Sequence, residues 1–157
     1  MSKQSIEDYL FNHAFFKGLD GSFMKFLSNS ATALRIKKGD VLFHHGEHAD
    51  KFYLVRTGQV SVQVPALVGP TLEMQALGED QILGWSWLIP PYRWSFQARA
   101  VENSDLLQFD GSVILARCEE DPKFGYELFK RFATLMSERL DAARQKMMDQ
   151  WDPPGFA

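Results

Sequence analysis

Residues 38–64 read KGDVLFHHGEHADKFYLVRTGQVSVQV, and apolar side chains recur in this stretch at intervals of two. Val41 and Phe43 share one face of a short strand, with Leu42 on the other. The cluster Gly46, Glu47, His48, Ala49, Asp50 then supplies a turn. Phe52 and Leu54, followed by Val60, Val62 and Val64, restart the period of two on either side of Thr57-Gly58, which the pattern predicts to be a tight hairpin turn. Strands this short, closed by turns this regular, predict a small antiparallel β-roll.

The flanks differ in character. Residues 5–30 read as short helices: Tyr9, Leu10, Phe11, Phe15 and Phe16 offer apolar contacts, Gly18-Leu19-Asp20-Gly21 breaks the chain, and Phe23, Phe26 and Leu27 repeat at helical spacing. Strand and turn patterns run from Ala31 to Phe109. Pro65, Gly69 and Pro70 loosen the middle of that region, Gly78-Glu79-Asp80 marks a turn, and Pro90-Pro91 forbids regular helix or a central strand. Helices return from Gly111, break at Asp121-Pro122, and end in one long helix from about Pro122 to Gln150 that Asp152-Pro153-Pro154-Gly155 stops. The expected fold is α+β and mainly β: a double-sheet jelly roll with short N-terminal helices and a long C-terminal helix, in a single domain spanning 1–157.

Composition bounds the function. The chain has 157 residues, 45% hydrophobic and 13% aromatic, which suits a packed globule rather than a disordered chain. A net charge of −3 leaves no electrostatic footprint for nucleic acid. Arg139, Arg144 and Lys146 alternate with Glu138, Asp141 and Asp149 and read as a solvated helix face. Cys118 stands alone, which excludes an internal disulfide and suits a reducing cytoplasm; Glu119 and Glu120 beside it oppose a thiolate. The N-terminus carries Glu7 and Asp8 and no long apolar run, so neither a signal peptide nor a membrane span is expected.

Lys38-Gly39 before the first strand, Gly46-Glu47 at the turn, Ala49-Asp50, the aromatic pair Phe52-Tyr53 and Gly58 together resemble the cyclic-nucleotide-binding domain, the sensor module of catabolite-activator-type regulators, cyclic-nucleotide-dependent kinases and gated channels. The resemblance extends from roughly Ala14 to Met148. It implies that residues 82–100, ILGWSWLIPPYRWSFQARA, form the phosphate-binding cassette, in which a glycine and a glutamate grip the ribose, a short helix presents backbone N–H groups, and an arginine clamps the cyclic phosphate. Gly84 fits the leading glycine, but Trp85 stands at the glutamate position. Counting back from Arg99-Ala100 puts Trp94 at the arginine position and Ser95 at the small polar one. Arg93 is one residue out of register and substitutes for the clamp only if the Pro90-Pro91 loop is a residue short; Arg99 points away along a strand.

Losing a charged clamp costs roughly a hundredfold or more in affinity, which argues against conventional cyclic-nucleotide binding. The cassette is instead crowded with Trp85, Trp87, Tyr92, Trp94 and Phe96, either as a stacking wall for another flat ligand or as a plug that fills the pocket. The candidate ligand-binding residues are therefore Gly84, Trp85, Ser86, Trp87, Arg93, Trp94, Ser95 and Phe96.

The final helix carries a heptad-like stripe, Phe129, Ala133, Met136, Leu140, Ala143 and Met147. It either covers the chain's own roll or forms a seam with another helix; Phe132 and Leu135 provide a second apolar face. The resemblance implies that this helix is the dimerisation element of a homodimer. No helix-turn-helix domain follows it, so direct DNA binding is not expected and any output runs through an unidentified protein partner.

His44, His45, Glu47 and His48 resemble in composition the metal site of cupins, but adjacent strand residues face opposite ways and no second histidine-bearing strand converges on them, so no metal site is expected. No nucleophile sits beside a base, no phosphate loop is present, and Glu119-Glu120 reads as support for helix termini, so the chain is not expected to be an enzyme and no cofactor is called for. The expected function is a dimeric, cytoplasmic small-molecule-sensing module. The alternative is a ligand-free interaction adaptor with a filled pocket, and a cupin-like metalloenzyme is a distant third.

Overall fold

Ser2 and Asp20 start the two N-terminal helices, each by accepting a backbone N–H from the first turn: Ser2 from Ser5 at 3.1 Å for α1 (Lys3–Phe11), and Asp20 from Ser22 at 2.9 Å for α2 (Gly21–Asn29). The computed structural model describes residues 2–64 and 71–150. The expected loosening at Pro65, Gly69 and Pro70 and the expected stop at residues 152–155 lie outside these. Strands follow: β1 (Ala31–Ile36), β2 (Val41–Phe43), β3 (Lys51–Thr57), β4 (Val60–Val64), β5 (Leu72–Leu77), β6 (Ile82–Leu83), β7 (Gln97–Ala100) and β8 (Ser104–Asp110). They form two antiparallel sheets of four strands each, ordered β1-β8-β3-β6 and β2-β7-β4-β5. This is the double-sheet roll the sequence predicts.

The hairpin expected at Thr57-Gly58 is not there. β3 pairs with β6 and β8, whereas β4 pairs with β5 and β7, so the chain changes sheets at this corner. Gly58 has φ +96°, and a Cβ there would lie 2.2 Å from Ser104 Oγ; only glycine lets the corner pass so close to the start of β8. Ser104 Oγ in turn accepts the Gln59 N–H at 3.1 Å.

β3 is the hinge of the packing because both its faces are buried. Tyr53 and Val55 point into the roll with Phe43, Val60, Trp94 and Leu106. Phe52 and Leu54 point outward with Leu107 and Phe109, and this outer face is covered by α1, α2, α3 (Gly111–Glu120) and α4 (Pro122–Gln150). The period of two is therefore real, but it feeds two cores rather than one. Phe52 lies face to face with Phe109 at 4.3 Å between ring centroids and meets Phe132 of α4 edge-on at 5.2 Å.

α4 begins where Pro122 occupies the first helical position and Asp121 accepts the Phe124 N–H at 3.2 Å. Phe124, Leu128 and Phe132 form its inner face. The stripe Phe129, Ala133, Leu140 and Met147 is left uncovered by the roll; Leu140 and Met147 are each 66% exposed. Glu119 and Glu120 fall in the last turn of α3, where negative charge opposes the helix dipole, so they do not support a terminus; Asp121 and Asp110 do that work. Cys118 is buried against Gly125, and burial pushes its thiol up to about 11. Among the described residues no helix is long and apolar enough to cross a membrane.

Phe52→Ala removes the ring shared by sheet and helices. It is expected to destabilise the fold by about 3–5 kcal/mol in urea unfolding, and a loss below about 1 kcal/mol would contradict the two-core packing.

Candidate functional site

A cavity of about 230 Å³ lies between the cassette, the inner face of the second sheet and α4. Gly84, Trp85, Ser86, Trp94, Ser95 and Phe96 line it together with Phe43, Val62 and Leu83, and α4 closes one side with Met136, Arg139, Leu140 and Ala143. Six of the eight cassette residues singled out in the sequence therefore meet in one place.

The other two do not. Arg93 forms an isolated antiparallel bridge with His48, and around it the Trp94 N–H donates to Glu47 at 2.9 Å, Gly46 N–H to Trp94 at 2.8 Å, and Ala49 N–H to Tyr92 at 2.7 Å. Neighbouring side chains on such a segment face opposite ways. Trp94 points inward, and Arg93 points out to solvent, where its guanidinium donates to the Gly46 carbonyl at 2.9 Å. A shifted register cannot bring Arg93 into the cavity without turning Trp94 out of it. Trp87, in the single 3₁₀ turn Ser86–Leu88, faces the helical core, where it stacks on Phe52 and meets Phe132. Its indole N–H donates to the Gly84 carbonyl at 3.2 Å, so it anchors the start of the cassette instead of lining the cavity.

Trp94 occupies the position the resemblance gives to the phosphate-clamping arginine, and it is 6% exposed. It stacks on Phe43 with 3.7 Å between centroids and an angle of 11°. Its far edge lies under Gly84, where a Cβ would come within 2.8 Å of the ring; Gly84 also has φ +100°. The leading glycine of the cassette is thus required twice, by its backbone and by the indole beneath it. Tyr53 packs nearby against Phe43, and burial pushes its hydroxyl up to about 12.

The charged wall of the cavity comes from a residue the sequence reading assigned to solvent. Arg139 is partly buried, donates to the Ile82 carbonyl, and places its guanidinium 5.9 Å from the Trp85 ring centroid. Burial pulls its pKa below the usual guanidinium range. Arg144 does pair with Asp141 at the surface, and Lys146 reaches the Glu73 carbonyl at 3.2 Å. The signal for Arg139 was present: Leu128, Phe132, Leu135 and Arg139 are spaced four, three and four apart, so Arg139 continues the inner face. Alternating charges in the local sequence masked that period.

The histidine cluster is a surface turn. Glu47 accepts the His44 backbone N–H at 2.7 Å and lies 2.8 Å from its Nδ1, and these bonds hold its carboxyl below the usual range. Among the described residues no three histidine, cysteine or acidic side chains gather as a metal site.

A family model described as the cyclic nucleotide-binding domain matches residues 33–121. A cyclic nucleotide-binding domain from Methylobacillus flagellatus KT superposes with a TM-score of 0.78 at 16% identity, covering 98% of this chain and 86% of that one. The sensor domain of the transcriptional regulator DNR from Pseudomonas aeruginosa gives 0.72 at 20% identity, covering 88% and 93%. The lysophospholipase NTE1 of Pyricularia oryzae is 22% identical over 108 residues, which are 69% of this chain; the chain spans 7% of that relative's length.

Gly84→Ala is expected to cost about 2 kcal/mol or more in urea unfolding, and Trp94→Leu should relieve the part due to the indole, leaving about 1 kcal/mol of backbone strain. Equal cost in both backgrounds would show that the two residues do not touch.

Proposed function

The chain belongs to the cyclic nucleotide-binding domain family, and from that premise we propose that it is a small-molecule-sensing regulatory module, homodimeric through α4, that does not hold a cyclic nucleotide in the conventional way. One observation carries the reading: Met136, Leu140 and Ala143 belong both to the cavity wall and to the apolar stripe of α4. A ligand touching those side chains has differential contact with any rearrangement of the seam, which is the physical requirement for coupling occupancy to association.

The dimer is supported by what the stripe does not do. The roll is already covered by Phe124, Leu128 and Phe132, while Phe129, Leu140 and Met147 remain exposed. A row of large apolar side chains at seam spacing suits a second copy of the helix. The likeness to a sensor domain of a transcriptional regulator favours a regulatory role over catalysis, and a protein partner reading the α4 surface would receive the signal.

The weakness of cyclic-nucleotide binding follows from Trp94 filling the arginine position and Arg93 facing out. The competing reading, a ligand-free adaptor, draws on the same stacked Trp94, but a cavity of about 230 Å³ beside it argues against a complete plug.

Titration calorimetry with cyclic AMP and cyclic GMP is expected to give no heat in the micromolar range, for the wild type and for Arg93→Ala alike; binding lost in the variant would reinstate the conventional clamp. Light scattering is expected to show a dimer that Leu140→Glu converts to monomer, whereas a monomeric wild type would remove α4 as the association element.

A further inference from the structure

Arg139 brings to the cavity a charge answered only at longer range, by Glu138 beside it on α4. One of its N–H groups donates to the Ile82 carbonyl, yet a guanidinium offers a planar fork of donors, and no carboxylate pairs with it among the described residues. Desolvating a cation without a counter-ion is unfavourable, and an anion bound in the cavity would offset that cost. Among the described residues no other charged side chain lines the cavity. The neighbouring walls are flat and aromatic: Trp85 under the guanidinium, Trp94 stacked on Phe43, and Phe96.

Charge, shape and size limit the ligand. A single cation suits a monoanion, and the fork geometry suits a carboxylate. Apart from Gln75, Ser86 and Ser95 the walls are apolar, which favours a ligand whose bulk is apolar over a nucleotide rich in hydroxyls and phosphate oxygens. At about 230 Å³ the cavity is half again as large as the roughly 150 Å³ engineered cavity that accommodates benzene, so it has room for an aromatic ring and a short arm.

We propose that the cavity binds a small aromatic carboxylate, with the ring against Trp85, Trp94 and Phe96 and the acid group on the free donors of Arg139. This deepens the sensing role proposed for the cavity and rests on it. Because Arg139 stands on α4, the anion would join the helix to the cassette through Trp85.

The test is a tryptophan-fluorescence and calorimetric titration of the full chain with benzoate, phenylacetate and indole-3-acetate, each beside its primary amide. At least one acid is expected to bind about tenfold or more tightly than its amide, the amide supplying the ring without the charge. Arg139→Gln should erase that preference while leaving amide affinity within about twofold, and Arg139→Lys, which keeps the charge without the fork, should retain part of it. Acid and amide binding equally, or a preference that survives in Arg139→Gln, overturns the carboxylate assignment and leaves the cavity as a ligand site. Failure of every acid and every amide to bind overturns both the assignment and the sensing role. The comparison of acid with amide in the wild type decides the matter even if a variant does not fold.

Discussion

The stack of Phe52 on Phe109, with Phe132 edge-on against it, is the contact on which the other parts of the molecule depend. It is where two strands of the first sheet meet the long C-terminal helix. Because β3 is apolar on both faces, that sheet cannot stand with one side in water; its outer face must be covered, and α4 is among the helices that cover it. Fixing Phe132 fixes the rotation of α4, and the next inward positions along the helix then fall on Leu135, Met136 and Arg139. The site is thus a consequence of core packing two turns away.

Two residues of different origin shape the cavity. Trp94, at the position where the resemblance implies an arginine, completes the interior by stacking on Phe43, and the Arg139 guanidinium lines the cavity from the helix. The two differ physically. Trp94 is held by backbone pairing to Gly46 and Glu47, so its position is set by the roll alone. A helix residue reaches the cavity only while α4 lies against the sheet, which makes the charge conditional on the helix.

The fold was legible in the sequence because short strands with alternating apolar residues and regular turns leave few other architectures open. The helix limits were legible for the same local reasons, with Asp121-Pro122 and Gly18 to Gly21 as punctuation. Thr57-Gly58 was misread because a turn between two apolar strands looks the same whether the strands pair or lie in different sheets; the difference rests on the approach of Ser104, far away in the chain. Arg93 was a question of register, which pairing with Gly46 to Ala49 resolves and counting cannot. Arg139 was hidden because a charged residue on an inward face is visible only once that face is known.

The helix also has a mechanical reach. Phe132 is held in the core, while α4 continues to Gln150, about 27 Å further at 1.5 Å per residue. About that fulcrum each degree of tilt carries the far end roughly 0.5 Å, and Arg139 less than half as far. For any tilt about that fulcrum, a displacement at Arg139 emerges enlarged along the helix, so that the end of α4 travels more than twice as far as the arginine.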